Sequence, residues 1–248
     1  MIPDRLIARL KSADAVVAFT GAGMSAESGV PTFRGEDGIW KKFKPEELAN
    51  FDAFIHNPDL VWEWYSHRKR IIASIQPNRG HHALAQMERH YQSFAVITQN
   101  IDNLHCRAGT TTVHELHGSI ERNYCIHCHA YFTNEEILKQ ERTPRCTACN
   151  GLVRPDVVWF GEMLPVEEWN ASVAAAEHAE VFFSVGMSSI VYPAASLPVM
   201  AKRAGAYLVE INLEPTEISD RADEVLLGKS GVILPQIIRA CRFTESLT

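Results

Sequence analysis

The sequence has no apolar run approaching the roughly 18 residues that would suggest a membrane span, so no bilayer-crossing helix is expected. It also lacks a basic excess: 24 lysines and arginines stand against 30 aspartates and glutamates, a net charge of −6. Direct nucleic-acid binding, which usually shows as a basic patch or stripe, is therefore not expected. The stretch from Met1 to Thr20 carries charges and runs straight into a short apolar segment, Ala15–Phe19. It has neither the long apolar core nor the small-residue cleavage site of an export signal, and the expected location is cytoplasmic. There is no internal repeat and no low-complexity tract, which sets aside solenoids and biased linkers. Cysteine is sparse, six in 248 residues, yet four fall in two close pairs. Without an export signal, such pairs favour a metal over disulfides.

What is present is ordinary for a globular protein: 46% hydrophobic and 22% charged residues. The length suits one large α/β domain, or one domain with a small inserted module. Short β-branched runs recur at Ala15–Phe19, Phe94–Thr98, Val181–Val185 and Tyr207–Ile211. Between them lie segments of helical spacing: Leu60–Ile75, His82–His90, Val166–His178, Ala194–Ala204 and Val232–Ala240. Strands alternating with helices predict a parallel sheet covered on both faces. From about Ile120 to Val153 that rhythm stops, and this stretch carries all four paired cysteines. A second irregular stretch, Pro31 to Lys44, has the length of a functional loop.

The first strand runs into Thr20-Gly21-Ala22-Gly23-Met24-Ser25-Ala26, which fits the G-x-G-x-x-G/A pattern. Glycines there let backbone approach a pyrophosphate; the alternative is a plain tight turn from strand to helix. Gly29 and Pro31 cut the following helix short, and no strand with a terminal acidic residue follows some twenty residues later. A hydride-transfer dehydrogenase is disfavoured, and the turn is read as binding NAD for another purpose. The expected fold is thus α/β, a Rossmann-like parallel sheet. Residues 1–119 and 154–248 form the NAD-binding domain, with a small zinc-binding module, residues 120–153, inserted in it.

Cys125-x-x-Cys128 and Cys146-x-x-Cys149 are separated by 17 residues. Each pair can place two thiolates about one tetrahedral Zn²⁺, and four thiolates fill the coordination sphere. The zinc is expected to be structural, one ion per chain. His127 and His129 are read as exposed loop residues, and Cys106 and Cys241 as packing or surface positions.

Strand Phe94–Thr98 is followed by Gln99-Asn100-Ile101-Asp102-Asn103-Leu104-His105, a polar run at the strand end where open α/β sheets bind ligands. Next comes His114-Glu115-Leu116-His117-Gly118-Ser119. Histidine is the natural proton carrier near neutral pH, but spacing alone does not separate His114 from His117.

Taken together these segments resemble the sirtuins. The matching runs are Gly21 through Gly35, Thr98 through His105, His117-Gly118-Ser119, the four cysteines, Arg154 through Glu162, Gly186 through Ser189, and Ile211 through Pro215. They stand in family order over nearly the whole chain. One departure is Met187, where the family usually has threonine. The resemblance implies an NAD-consuming protein-lysine deacylase, with NAD as co-substrate and acyl-lysine side chains of proteins as partners. It places the pyrophosphate near Gly21, Ala22, Gly23 and Ala26 and puts Phe33 and Arg34 of the long loop over the nicotinamide ribose, with Trp40 of the same loop also binding the cofactor. Gln99, Asn100, Ile101 and Asp102 would line the nicotinamide pocket, with Asn100 and Asp102 joining His117 as catalytic residues. Ser188, Asn212, Glu214 and Ser230 would hold the adenosine half, with Gly186, Met187 and Leu213 also binding the cofactor. His117 would be the general base on a ribose hydroxyl, and the products would be nicotinamide, free lysine and O-acyl-ADP-ribose. A substrate peptide would add as a strand along Val157–Glu162, touching Val158, Phe160 and Gly161.

Tyr65 and Arg68 lie three residues apart and so on one helical face. In the desuccinylating branch of the family, a Tyr-x-x-Arg pair at this place binds an acidic acyl group, because a guanidinium meets a carboxylate in a two-pronged geometry. The resemblance therefore implies removal of succinyl, malonyl and acetyl groups. Two other readings stand beside it: a zinc-ribbon module that binds nucleic acid, and an ADP-ribosyltransferase using the same NAD site.

Overall fold

The computed structural model describes residues 1–32, 48–140 and 142–243. The loop residues Phe33, Arg34 and Trp40 therefore lie outside the described residues. Helix α1 (Asp4–Ser12) leads into β1 (Ala15–Thr20), and the short α2 (Ala22–Ala26) follows the glycine turn. Next come α3 (Phe51–His56), α4 (Pro58–Ser74), α5 (Arg79–Glu88), β2 (Ser93–Thr98), α6 (Leu104–Arg107) and β3 (Val113–Glu115). Then β4 (Gly118–Cys125), β5 (Tyr131–Thr133), α7 (Asn134–Leu138), β6 (Val153–Val157), α8 (Val166–His178) and β7 (Val181–Val185). The order closes with α9 (Leu197–Ala204), β8 (Tyr207–Asn212), β9 (Glu224–Leu227) and α10 (Ser230–Cys241).

Six strands form one parallel sheet in the order β3-β2-β1-β7-β8-β9. Its central strands are apolar on both faces, as a doubly covered parallel sheet requires. Val16, Ala18, Val96, Phe183 and Val185 join a cluster with Leu6, Leu84, Leu234 and Ile237 of α1, α5 and α10. Val17, Phe19, Ile97 and Phe182 face the other way, toward Ala176, Leu197 and Ala201 of α8 and α9. The strand order turns between β1 and β7, and this is where the glycine turn emerges.

A second, antiparallel sheet, β5-β4-β6, carries the cysteines. Helix α4 packs against it: Trp62 Nε1 donates to the Val153 carbonyl at 2.8 Å. Lys69, buried, donates to the Ile120 carbonyl and to Asn134 Oδ1.

The helices differ from the sequence expectation mainly at their ends. Helix α4 starts at Pro58 because Asn57 caps it, accepting from the Leu60 N–H. The expected Ala194–Ala204 helix divides into a 3₁₀ turn, Ala194–Ser196, and α9, with Pro198 in the first turn of α9. The edge strands β3 and β9 and helix α1 were not foreseen. Each edge strand has only three or four residues, too few for a periodic pattern.

Candidate active site and metal centre

The carboxyl ends of β1 and β7 press together closely enough that side chains are excluded. A Cβ on Gly23 would lie 2.7 Å from Gly186 Cα, and one on Gly21 would lie 2.6 Å from Met187 Sδ. Gly186 has φ 62°, and a Cβ there would come within 2.4 Å of the Met24 nitrogen. These glycines join two turns into one backbone-lined cradle.

Beside the cradle is a cavity of about 200 Å³ lined by Gly23, Ala26, Gly186, Asn212, Leu213 and Ser230, together with Glu27 and Lys229. Six residues of the sequence set thus meet in one wall. Asn212 Nδ2 donates to the Met187 carbonyl at 2.7 Å, fixing the β7 turn over the cavity. Gly21, Ala22, Met187, Ser188 and Glu214 lie outside this wall. Met187 turns its side chain into the apolar layer with Phe19 and Phe182, while Ser188 and Glu214 are exposed. Glu27 escaped the sequence reading. Its carboxylate accepts from the Gly231 N–H at 2.8 Å and Ser230 Oγ at 3.3 Å, tying α2 to the start of α10. An acid inside the Gly21–Gly29 run was the available sign.

Behind the glycine turn lies a buried polar layer. Asn100 Nδ2 donates to the Gly21 carbonyl at 2.9 Å and to Ser25 Oγ at 3.1 Å. Thr20 Oγ1 donates to Thr98 Oγ1 at 2.9 Å, and His105 Nε2 lies 2.9 Å from the Thr20 hydroxyl. His81 Nε2 is 3.4 Å from Ser25 Oγ, and its ring is 4.8 Å from that of His105. Burial drives both imidazoles down, His81 to about 2 and His105 to about 3, so both are neutral spacers.

Gln99, Asn100, Ile101 and Asp102 follow β2 into this region. Gln99 Nε2 is buried with no hydrogen-bond partner among the described residues, as expected where a polar ligand completes the site. Asp102 is buried, and its Oδ1 accepts from the Leu104 N–H at 3.0 Å. Burial raises its carboxyl, while that N–H, Ser25 and the field of Arg68 act the other way. The Ile101 carbonyl accepts from the Ile120 N–H at 2.9 Å.

His117 stands where the two sheets meet. Its Nδ1 lies 3.1 Å from the Gln99 carbonyl, which can only accept, so Nδ1 carries the hydrogen and Nε2 keeps its lone pair. Burial lowers this imidazole, with the Gln99 carbonyl acting in the opposite sense. It is a neutral base at neutral pH. His114 points elsewhere, on edge strand β3 with Nδ1 3.3 Å from Glu168.

The His117 carbonyl accepts from the Val158 N–H at 3.0 Å. Phe160 N–H donates to the Ala49 carbonyl at 2.9 Å, and Trp159 N–H to Glu162 at 2.8 Å. Consecutive N–H groups of this segment are thus occupied, and the Trp159 carbonyl accepts from the Glu162 N–H at 3.0 Å, closing a turn around Gly161. Arg154 braces the segment from beneath. It donates to the Val157 carbonyl and to Glu162 and lies 3.5 Å over the Trp159 ring.

Tyr65 and Arg68 are both buried on α4. Trp159 Nε1 donates to Tyr65 Oη at 2.8 Å, leaving the phenol proton free to be given elsewhere. Burial raises Tyr65 to about 12, so it stays a donor. The Arg68 guanidinium lies 4.7 Å from the Trp64 ring centroid. Burial lowers Arg68, while Tyr65 and Asp102 support its charge.

The four cysteine sulfurs lie within 4.8 Å of one another, with Cys125–Cys149 at 3.4 Å and Cys128–Cys146 at 3.5 Å. A disulfide needs about 2.05 Å, and four thiolates at about 2.3 Å from a tetrahedral ion stand near 3.8 Å apart. The cluster fits one structural zinc, with no position left for water. His127 and His129 are not among the clustered ligands.

A Sir2 family profile matches residues 21–193. NAD-dependent protein deacylase 2 of Pyrobaculum aerophilum is 49% identical over 243 residues, covering 96% of this chain and 97% of that protein. NAD-dependent protein deacylase of Aquifex aeolicus is 51% identical over 222 residues, 90% of this chain and 93% of its own. A crystal structure of a Sir2 homolog–NAD complex superposes with a TM-score of 0.92 at 42% identity, over 98% of this chain and 94% of that one. With a family profile over most of its length and relatives near 50% identity along almost the whole chain, the chain belongs to the Sir2 family.

Proposed function

We propose that this chain is an NAD-dependent protein-lysine deacylase of the cytoplasm that removes succinyl and malonyl groups and accepts acetyl groups as well. Deacylase activity itself follows from family membership and from the names of relatives at 43–51% identity. The acyl preference rests on one observation, the buried Tyr65–Arg68 pair on α4. That pair is tied through Trp159 to the segment whose Val158 N–H binds His117. A guanidinium desolvated at this depth gains from an entering carboxylate far more than an exposed one. In the same reading, residues 1–119 and 154–248 are the NAD-binding domain and residues 120–153 the zinc-held module. Phe33 and Arg34, outside the described residues, are assigned to the ribose side, and Trp40 of the same loop to cofactor binding.

When bound, NAD would supply the ribose carbon at which the acyl oxygen displaces nicotinamide, and water would then release the lysine, so that the products are nicotinamide, free lysine and O-acyl-ADP-ribose. His117 takes the ribose hydroxyl proton on Nε2, held in that tautomer by the Gln99 carbonyl. Asn100 locks the glycine turn through the Gly21 carbonyl, and Asp102, Gln99 and Ile101 wall the nicotinamide end. The acyl-lysine strand lies along Val158, Phe160 and Gly161.

The test is incubation with NAD and matched succinyl-, malonyl- and acetyl-lysine peptides, followed by mass spectrometry. O-acyl-ADP-ribose with higher kcat/KM for the acidic acyl groups supports the reading. ADP-ribose on protein would establish transferase chemistry instead, and a clear acetyl preference would remove the acyl assignment.

A further inference from the structure

On the sheet face covered by α1, α5 and α10, α5 and α10 run side by side in the same direction. Gly80 meets the Gly231 nitrogen near their starts, and Gln86 Nε2 donates to the Phe243 carbonyl near their ends. Between them lies an open groove of about 480 Å³ that shares no lining residue with the NAD cavity. Its walls take helical steps of three and four residues, Arg79 and His82 on α5 and Ile238, Arg239 and Arg242 at and beyond α10, with Phe243 closing one end.

Every charged side chain on these walls is basic, although the protein carries a net charge of −6. Among the described residues, none of the three guanidiniums is placed in an ion pair or side-chain hydrogen bond. Arg239 and Arg242 complement the carboxyl end of their helix. Arg79 does not: it is the first residue of α5, where a carboxylate would be favoured, and that first turn holds no acid. Arg242 also departs from ordinary backbone, with φ 58° at the helix end. Between the cations the floor is apolar, through Ile238 and Phe243.

We propose that this groove docks an extended acidic peptide segment of a partner protein, with carboxylates at the arginines and an apolar residue on the Ile238 floor. Seven residues of helix span about 10 Å, and an extended chain rises about 3.3 Å per residue. The groove therefore holds a core of about three residues, with acids just beyond each end meeting the arginines. Charge complementarity selects this occupant, since a basic or neutral segment gains nothing from three guanidiniums.

The probe is a fluorescein-labelled peptide, Asp-Glu-Leu-Glu-Leu-Asp-Glu, without lysine so that the deacylation site cannot take it. Its Asn/Gln counterpart is the control. Anisotropy with the full-length protein should give saturable binding that weakens with salt and is retained with ADP-ribose present. The double variant Arg239→Gln/Arg242→Gln should bind at least about tenfold more weakly, the loss of two charge-assisted contacts. Its deacylation of short acyl-lysine peptides and its melting temperature should be unchanged. Equal binding by the double variant, equal binding of the neutral peptide, or no saturation below about 1 mM would overturn the proposal. Displacement of the peptide by inorganic triphosphate at equimolar concentration would mean a small-anion site and would overturn it too. Binding that appears only after deletion of residues 244–248 would assign the groove to that segment instead.

Discussion

Arg68→Met is the most informative single change for acyl choice. Methionine keeps an unbranched apolar stem against Trp64 but removes the charge and the two-pronged donor set. A charge-assisted hydrogen bond contributes about 1.5–3 kcal/mol, which corresponds to roughly 10- to 150-fold in binding. Burial of Arg68 argues for the upper part of that range, since little solvent screens the contact. A second consequence follows at Asp102. The field of Arg68 holds that carboxyl down against burial, so in Arg68→Met it rises further and any activity needing it ionised shifts to higher pH. The assay is kcat/KM for succinyl-lysine and acetyl-lysine peptides of one sequence, across pH. The succinyl value should fall by about the factor above while acetyl changes only a fewfold at its optimum. Tyr65→Phe should act the same way but more weakly, because a neutral hydrogen bond contributes about 0.5–1.5 kcal/mol. Equal loss of both activities in Arg68→Met would show that Arg68 serves the shape of the pocket, and the acidic-acyl reading would fall.

His117→Ala should reduce deacylation on the order of a hundredfold or more while ADP-ribose binding measured by calorimetry is retained; His114→Ala, on the edge strand, should be mild. Metal analysis of protein purified without chelators should find one zinc per chain. Cys146→Ala, which removes a buried ligand, should lose that metal and melt at lower temperature. Acid should destabilise the fold through His81 and His105. Both are neutral when folded and take up protons below about 6.5 when unfolded, so stability is complete above that pH and falls toward the depressed values. The slope should approach about 1.4 kcal/mol per pH unit for each histidine, and urea midpoints that stay flat from about pH 7 to 5 would contradict it.

Sequence alone determined the parts whose chemistry is local. Four cysteines at two-residue spacings specify a tetrahedral thiolate site wherever the chain goes, and β-branched runs alternating with amphipathic segments specify a doubly covered parallel sheet. The Tyr65–Arg68 spacing sets one helical face before any packing is known. Tertiary structure decided what depends on neighbours distant in the chain. The proton of His117 is fixed by the Gln99 carbonyl, 18 residues away, and no spacing rule distinguishes His117 from His114. The glycines at Gly21 and Gly23 are demanded by Gly186, more than 160 residues on, because two turns share one small volume. Glu27 and Lys69 gained their roles only when α10 and the Ile120 carbonyl were brought to them. Whether a charged side chain is solvated or buried is set by what packs over it, and one-dimensional pattern does not carry that information.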